Sequence, residues 1–214
     1  MDHPVKSASL AIRQLFHRIH RAPVAAVAAI IALTSPNTSS AEIDAARVRR
    51  VAAGEIIVEV DAVPGTAAGR VTALLDIPAS QRRVWQVMLD CKRSVKIVDG
   101  LKSCTVTAAD PGGRWDVREH LVQWAWPLPT VRSVFRSDYT EFARISFRRI
   151  DGDLKALEGA WQLEPIAAGR ATRLHYEAVV DPGVPLPGFL VRNAIETDFR
   201  KTLAALRREA AGHD

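Results

Sequence analysis

The residues best suited to chemistry in this sequence are few and scattered. Three of the six histidines lie within the first 41 residues, which leaves His120, His175 and His213. Glu119 and His120 are adjacent in a stretch that predicts a β-strand, so their side chains face opposite ways and cannot form an acid/base pair or bind one metal together. The sequence also lacks Gly-x-Ser-x-Gly, His-Glu-x-x-His and a phosphate-binding Gly-rich loop. These observations predict no catalytic residue, no metal site and no cofactor.

Strand 114–125 offers two inward-facing sets, because side chains alternate between the faces of a strand. One set is Trp115, Val117, Glu119, Leu121, Gln123 and Ala125, and the other is Asp116, Arg118, His120, Val122, Trp124 and Trp126. We expect the first set to face inward, which would bring Glu119 and Gln123 to a cavity as the few polar groups that a mostly apolar ligand needs. The alternative for Glu119 is a salt bridge to a neighbouring arginine, since buried carboxylates are usually paired.

Other predicted strands supply aromatic and small hydroxyl side chains to the same face. Leu174, Tyr176, Ala178 and Val180 form the apolar side of strand 171–181, so His175 should face water. Two serines between aromatic residues on strand 131–141 suit a cavity better than a dry core. The predicted ligand-binding residues are Trp85, Glu119, Gln123, Phe135, Ser137, Tyr139, Trp161, Tyr176, Phe189 and Ile195.

The N-terminal segment 1–41 is typical of a secretory signal. Four basic residues precede an apolar run from Ala22 to Leu33, and small residues follow at Ser39-Ser40-Ala41. This run is shorter than the roughly 20 residues of a membrane-spanning helix. We therefore expect residues 1–41 to be a signal peptide, residues 42–214 to be a single domain, and the protein to be exported to the periplasm or cell envelope. An amphipathic surface helix or an uncleaved anchor is the alternative.

Much of the net charge of +5 belongs to that segment, so the overall basicity does not indicate a nucleic-acid partner. Cys91 and Cys104 are the two cysteines, and an oxidising compartment would let them form a disulfide. Two free thiols are the alternative, because the distance between the α-carbons decides the question.

The order of the predicted elements defines the fold class. A hairpin of two strands near 55–77 is followed by two short helices. The first begins after Ser80, and the second spans 93–98. Six antiparallel strands then run from 102 to 181, and a long amphipathic helix ends the chain. This order predicts an α+β helix-grip fold, in which a curved antiparallel sheet wraps around the C-terminal helix and leaves an apolar cavity.

The connection Asp181–Gly188 is rich in proline and glycine and leads directly to Phe189 and Leu190. It is either a rigid connector or a gate at the mouth of the cavity. In the gate interpretation, opening would expose Phe189 or Leu190.

Several of these segments resemble the START-like (SRPBCC) superfamily, which includes polyketide cyclase/dehydrase-like and coenzyme-Q-binding proteins. Ile77-Pro78-Ala79-Ser80 with Val84-Trp85 and Leu89-Asp90 is similar to the opening of that superfamily. The segments from Gly159 to Pro165 and from Thr172 to Tyr176 are similar to two of its strands. The resemblance covers about residues 70 to 210, and its motifs are mainly packing positions.

The resemblance implies binding, and transport or sensing, of a hydrophobic small molecule such as a lipid, a sterol- or hopanoid-like molecule or an isoprenoid quinone. A transient contact with a membrane would accompany transport. Two alternatives remain: a cyclase- or hydrolase-type enzyme of the same fold, and a protein-interaction module whose cavity is filled by side chains. Nothing in the sequence indicates the oligomeric state.

Overall fold

The computed structural model describes residues 37–123, 130–183 and 187–212, with side chains described from Asp44. Residues 37 onward form one compact unit. The predicted signal peptide lies almost entirely outside the described residues, and the expected cleavage point after Ala41 falls within the first helix. Among the helices in these ranges, none is long and apolar enough to cross a membrane.

Four helices and eight strands make up the described chain. Helix α1 precedes the sheet, α2 and α3 follow its first two strands, and α4 ends the chain. The elements are α1 Asn37–Ala52, β1 Ile57–Ala62, β2 Gly69–Ile77, α2 Gln81–Leu89, α3 Cys91–Ile97, β3 Leu101–Ala109, β4 Trp115–Gln123, β5 Thr130–Thr140, β6 Arg144–Gly152, β7 Ala156–Ile166, β8 Ala171–Asp181 and α4 Gly188–Ala211.

All eight strands form one antiparallel sheet in the order β1-β2-β8-β7-β6-β5-β4-β3. Each strand from β3 to β8 pairs with its neighbour in sequence, and β2 then pairs with β8 to bring the N-terminal hairpin alongside. The curved sheet with a long C-terminal helix confirms the predicted helix-grip fold.

The main core lies between the concave face of this sheet and helices α2 and α4. Alternate residues of β2 and β8 face it, including Leu75, Ile77 and Leu174, which are fully buried. From the helices, Val84 of α2 and Leu203 of α4 are equally buried. One apolar face of the sheet therefore covers one apolar stripe of each helix, as the sequence periodicity predicts.

Helices α2 and α3 begin at side-chain caps. Ser80 accepts a hydrogen bond from the backbone N–H of Arg83, and the Asp90 carboxylate accepts from the N–H groups of Lys92 and Arg93. These caps satisfy donors that the first helical turn leaves free. They set the two short helices at a sharp junction beside the concave face of the sheet.

A disulfide joins Cys91 and Cys104, whose α-carbons are 5.2 Å apart. It ties the first residue of α3 to strand β3, which is the edge strand of the sheet. The cross-link therefore fastens α3 to the β3 edge of the sheet.

Candidate functional site

A cavity of about 140 Å³ lies between the concave face of the sheet and helices α2, α3 and α4. Most of its lining is aliphatic or aromatic, with a smaller group of polar side chains from α3, β4, β5 and α4. The lining residues are Val87, Met88, Leu89, Ser94, Ile97, Val98, Arg118, His120, Phe135, Ser137, Tyr139, Ile145, Phe147, Trp161, Thr202 and Leu206. Apolar walls with a few polar groups are typical of sites for small, mostly apolar ligands.

A buried ion pair stands at the polar side of this cavity. The Arg118 guanidinium donates to the Asp116 carboxylate at 2.9 Å, and both side chains are about nine-tenths buried. Arg118 also donates to the Leu89 carbonyl at 3.0 Å and to the Tyr139 hydroxyl at 3.3 Å. Burial disfavours the charged guanidinium, but the bonds to Asp116 and Tyr139 outweigh it and raise the pKa of Arg118.

Arg118 thereby connects the sheet to the C-terminal end of α2, where backbone carbonyls lack partners within the helix. The neighbouring Tyr139 hydroxyl is held in the neutral form, because burial raises the pKa of Tyr139. The polar side of the cavity is consequently fixed in position, with the charge of Arg118 balanced by Asp116.

His120 lies on the same face, two residues beyond Arg118. Its ring meets the Phe135 ring edge-on, with centroids 4.9 Å apart. Burial, with a further contribution from the Arg118 charge, lowers the pKa of His120 to about 4. The imidazole is therefore neutral near pH 7, and its buried Nε2 atom has no hydrogen-bond partner among the described residues.

An aromatic cluster closes the opposite wall. Trp161 packs on Tyr176 with ring centroids 4.3 Å apart, and Tyr176 packs on Phe199 of α4 at 4.6 Å. Phe147 stacks on Tyr176 at 6.0 Å. Trp161 and Phe147 line the cavity, whereas Tyr176 lies behind them. This cluster gives one end of the cavity an entirely aromatic surface.

Four of the residues predicted to bind ligand line this cavity: Phe135, Ser137, Tyr139 and Trp161. Three others, Trp85, Tyr176 and Ile195, are packed in or against the core and do not line it. Trp85 makes edge contacts with the rings of Tyr139 and Phe142, so it supports the wall from behind. A ligand-binding role for the four lining residues stays a prediction.

The expectation that Glu119 and Gln123 face the cavity is wrong. The other set of β4 side chains faces inward, so Asp116 and Arg118 are buried. Glu119 points to the outer face and accepts a hydrogen bond from Arg132 at 2.7 Å, which is the alternative considered for it, while Gln123 is exposed. The Asp-x-Arg spacing was the missed signal, because residues two apart on a strand share a face and opposite charges can neutralise each other there.

His175, by contrast, is partly exposed on the outer face as expected, 3.3 Å from the Glu164 carboxylate.

Phe189 is also not a lining residue. It lies in the first turn of α4 with 57% of its surface exposed, and Leu190 beside it is 48% exposed. Part of the proposed gate, residues 184–186, lies outside the described residues. The prediction for Phe189 failed because the apolar periodicity of α4 does not indicate which turns of the helix pack against the sheet.

Truncating Phe189 is therefore expected to leave folding stability almost unchanged. The variant Phe189→Ala should lower the free energy of unfolding by less than about 0.5 kcal/mol, because the ring already contacts water. Leu203→Ala, on the fully buried face of the same helix, should cost about 2–5 kcal/mol. Urea denaturation of both variants measures the difference, and losses of similar size would contradict the placement of Phe189 at the surface.

A second, wider groove of about 820 Å³ lies on the outer face of the sheet beside α1. Seven of its 21 lining residues are charged, including Arg47, Arg144, Arg148 and Glu177. Burying these groups against an apolar molecule would cost free energy. The concave cavity is therefore the better candidate for an apolar ligand.

A family model described as "Polyketide cyclase / dehydrase and lipid transport" matches residues 77–207. That range extends from the end of β2 to the last turns of α4 and includes every residue that lines the cavity. The comparison with curated proteins finds no match.

Solved structures with the same fold are similar to this chain at low identity. A STAR-related lipid transfer protein from Xanthomonas axonopodis is 18% identical, with a TM-score of 0.64 over 73% of this chain and 94% of that one. The Zhui aromatase/cyclase from Streptomyces sp. R1128 is 16% identical, with a TM-score of 0.54 over 68% and 92%. Human STARD10 is 13% identical, with a TM-score of 0.60 over 72% and 69%.

Proposed function

The chain belongs to the polyketide cyclase / dehydrase and lipid transport family, and from that premise we propose that it binds a hydrophobic small molecule reversibly in the cavity on the concave face and carries or senses it. One observation supports this most directly. The cavity has apolar walls from the sheet and three helices. Most of its polar groups come from the adjacent strands β4 and β5, whereas Ser94 and Thr202 contribute one hydroxyl each from the helices. A molecule with an apolar body and one polar group matches that division.

The size of the cavity limits how binding takes place. At about 140 Å³ it is smaller than the roughly 300–1,000 Å³ of typical ligand pockets. It accommodates a small ligand or one end of a larger one, and a larger ligand requires α3 and α4 to move away from the sheet. The proposal of a carrier thus includes a conformational opening on the helical side, where transient contact with a membrane would also take place.

We further propose that residues 1–41 direct export to the periplasm or cell envelope. Its support is the order of basic, apolar and small residues in that segment. Binding in such a compartment would serve transfer of a hydrophobic molecule across or within the envelope.

Titration with the neutral apolar dye Nile red tests the binding proposal. We expect saturable fluorescence enhancement, and we expect Ser137→Leu to weaken it by about tenfold or more because the larger side chain fills the cavity. Asp138→Leu is the matched control, because Asp138 is the next residue of β5 and is exposed. Absence of dye binding, or equal effects of the two variants, would contradict a ligand site here and favour an interaction module.

Mass spectrometry of protein recovered from its producing cell complements that titration. Organic extraction should release a co-purified apolar molecule. The mass of the intact chain shows whether it begins at Met1 or at Glu42, and an intact Met1 would contradict cleavage after Ala41.

A further inference from the structure

Four polar side chains on the concave face have buried atoms that lack hydrogen-bond partners among the described residues. One is Asp116 Oδ1, whose carboxylate belongs to the ion pair with Arg118. The other three are His120 Nε2 on β4, Ser133 Oγ on β5 and Arg149 Nε on β6. Such atoms are uncommon in folded proteins because an unsatisfied buried donor or acceptor destabilises the fold. Three of them on adjacent strands indicate a common partner.

The sheet register brings these three residues together. His120 is directly opposite Ser133, and Arg149 is directly opposite Phe135, which lines the cavity. Opposite residues of antiparallel strands have β-carbons about 5 Å apart on the same face. Arg149 also follows Phe147 by two positions, and Phe147 lines the cavity as well. All three side chains therefore project from the concave face. His120 lines the cavity, and Ser133 and Arg149 lie next to the end marked by His120 and Phe135, outside the lining itself.

Two arginines on this face, Arg118 and Arg149, differ in how their positive charges are balanced. Arg118 is neutralised by the buried Asp116 carboxylate. Arg149 donates to the Gly152 carbonyl at 2.6 Å and has no carboxylate partner in the described part of the chain. Asp151, two residues further on, is exposed and forms its direct ion pair with Arg132, although the charge of Arg149 also contributes to lowering the pKa of Asp151. Arg149 is thus a positive charge on the concave face without a direct ion-pair partner in the ranges that the structure describes.

We propose that His120, Ser133 and Arg149 bind the carboxylate of an amphipathic carboxylic acid whose apolar part lies against Phe135, Phe147 and Trp161. An imidazole N–H, a hydroxyl and a guanidinium can all donate hydrogen bonds to the oxygens of a carboxylate. A single positive charge without an ion-pair partner among the described residues matches the single charge of a carboxylate, rather than the greater charge of a phosphate monoester. This assignment depends on the proposed function, because it specifies the ligand class of the same cavity.

The test compares decanoate, decan-1-ol and methyl decanoate as competitors for Nile red on the full-length protein. All three are built on an unbranched ten-carbon chain, and decanoate alone carries a charge. We expect decanoate to bind about tenfold or more tightly than decan-1-ol, since a charged hydrogen bond is stronger than a neutral one. Arg149→Gln should abolish this preference, so that decanoate and decan-1-ol bind to this variant with affinities within about twofold of each other.

Arg148→Gln is the matched control, because it removes the same charge from the neighbouring position of β6, on the outer face. It should keep the preference for decanoate. Ser133→Ala provides a milder variant with no change of charge, and it should reduce the preference in part.

Equal binding of decanoate and decan-1-ol would overturn the assignment of a carboxylate site and leave the binding function intact. Equal loss of the preference in Arg148→Gln and Arg149→Gln would also overturn it, because a general effect of surface charge would then explain the result. If Nile red does not bind at all, the proposed function and this assignment both fail.

Discussion

Replacing Arg118 with methionine is expected to lower the free energy of unfolding by about 3–5 kcal/mol. The substitution leaves the buried Asp116 carboxylate without its partner, and an unpaired buried charge is far more destabilising than the loss of an exposed ion pair. It also removes the hydrogen bond to the Leu89 carbonyl at the end of α2. Urea denaturation at pH 7 measures the change.

Arg132→Met is the control for this prediction. Arg132 forms ion pairs with Glu119 and Asp151 on the outer face, where its side chain is 42% exposed. Its replacement should cost less than about 1 kcal/mol. The double variant Arg118→Met/Asp116→Leu should regain most of the stability, because apolar side chains can replace a buried ion pair. A loss in Arg118→Met no greater than that in Arg132→Met would contradict the buried pair.

Acidification is expected to destabilise the protein through His120. Its pKa is about 4 in the folded state and about 6.5 when the ring is solvated. Between these values the unfolded chain takes up a proton that the folded chain does not, so stability falls as the pH decreases from 6.5 to 4. The full difference corresponds to about 3 kcal/mol. Above pH 6.5 His120 makes no contribution to the pH dependence.

Denaturation curves recorded between pH 4 and pH 7 for the original chain and for His120→Gln isolate this effect. The variant should have a shallower dependence on pH in that interval, whatever its absolute stability. His175→Gln is the matched control variant, because it removes an imidazole from the outer face, where the His175 side chain is 44% exposed. Parallel pH profiles for the original chain and His120→Gln would show that the imidazole is accessible to solvent in the folded protein.

Most of the fold follows from periodicity and turn residues in the sequence. The alternation in β8 correctly predicts that Leu174 and Tyr176 face the core, because apolar and polar residues separate cleanly there. The cap at Ser80 correctly predicts the start of α2. These features are local, so a single sequence is enough to predict them.

The candidate site is less predictable because it depends on contacts between distant residues. In β4 neither set of side chains is clearly apolar, so alternation alone could not decide which faces inward. The deciding interaction joins Arg118 to the carbonyl of Leu89, which lies on another element. The grouping of Ser133 and Arg149 with His120 could not be predicted either, because it depends on the register of three strands.

The pairing of β2 with β8 has a consequence for the timing of folding. Strands β3 to β7 contact neighbours along the chain, but Leu75 of β2 is opposite Leu174 of β8, and the two are separated by the whole meander. Closing so long a loop costs conformational entropy before any contact compensates for it, so such pairings form slowly. During synthesis the apolar side of the N-terminal hairpin is made first and covered last, after β8 and α4 have emerged. Until then this hairpin is the segment of the nascent chain most in need of protection from aggregation.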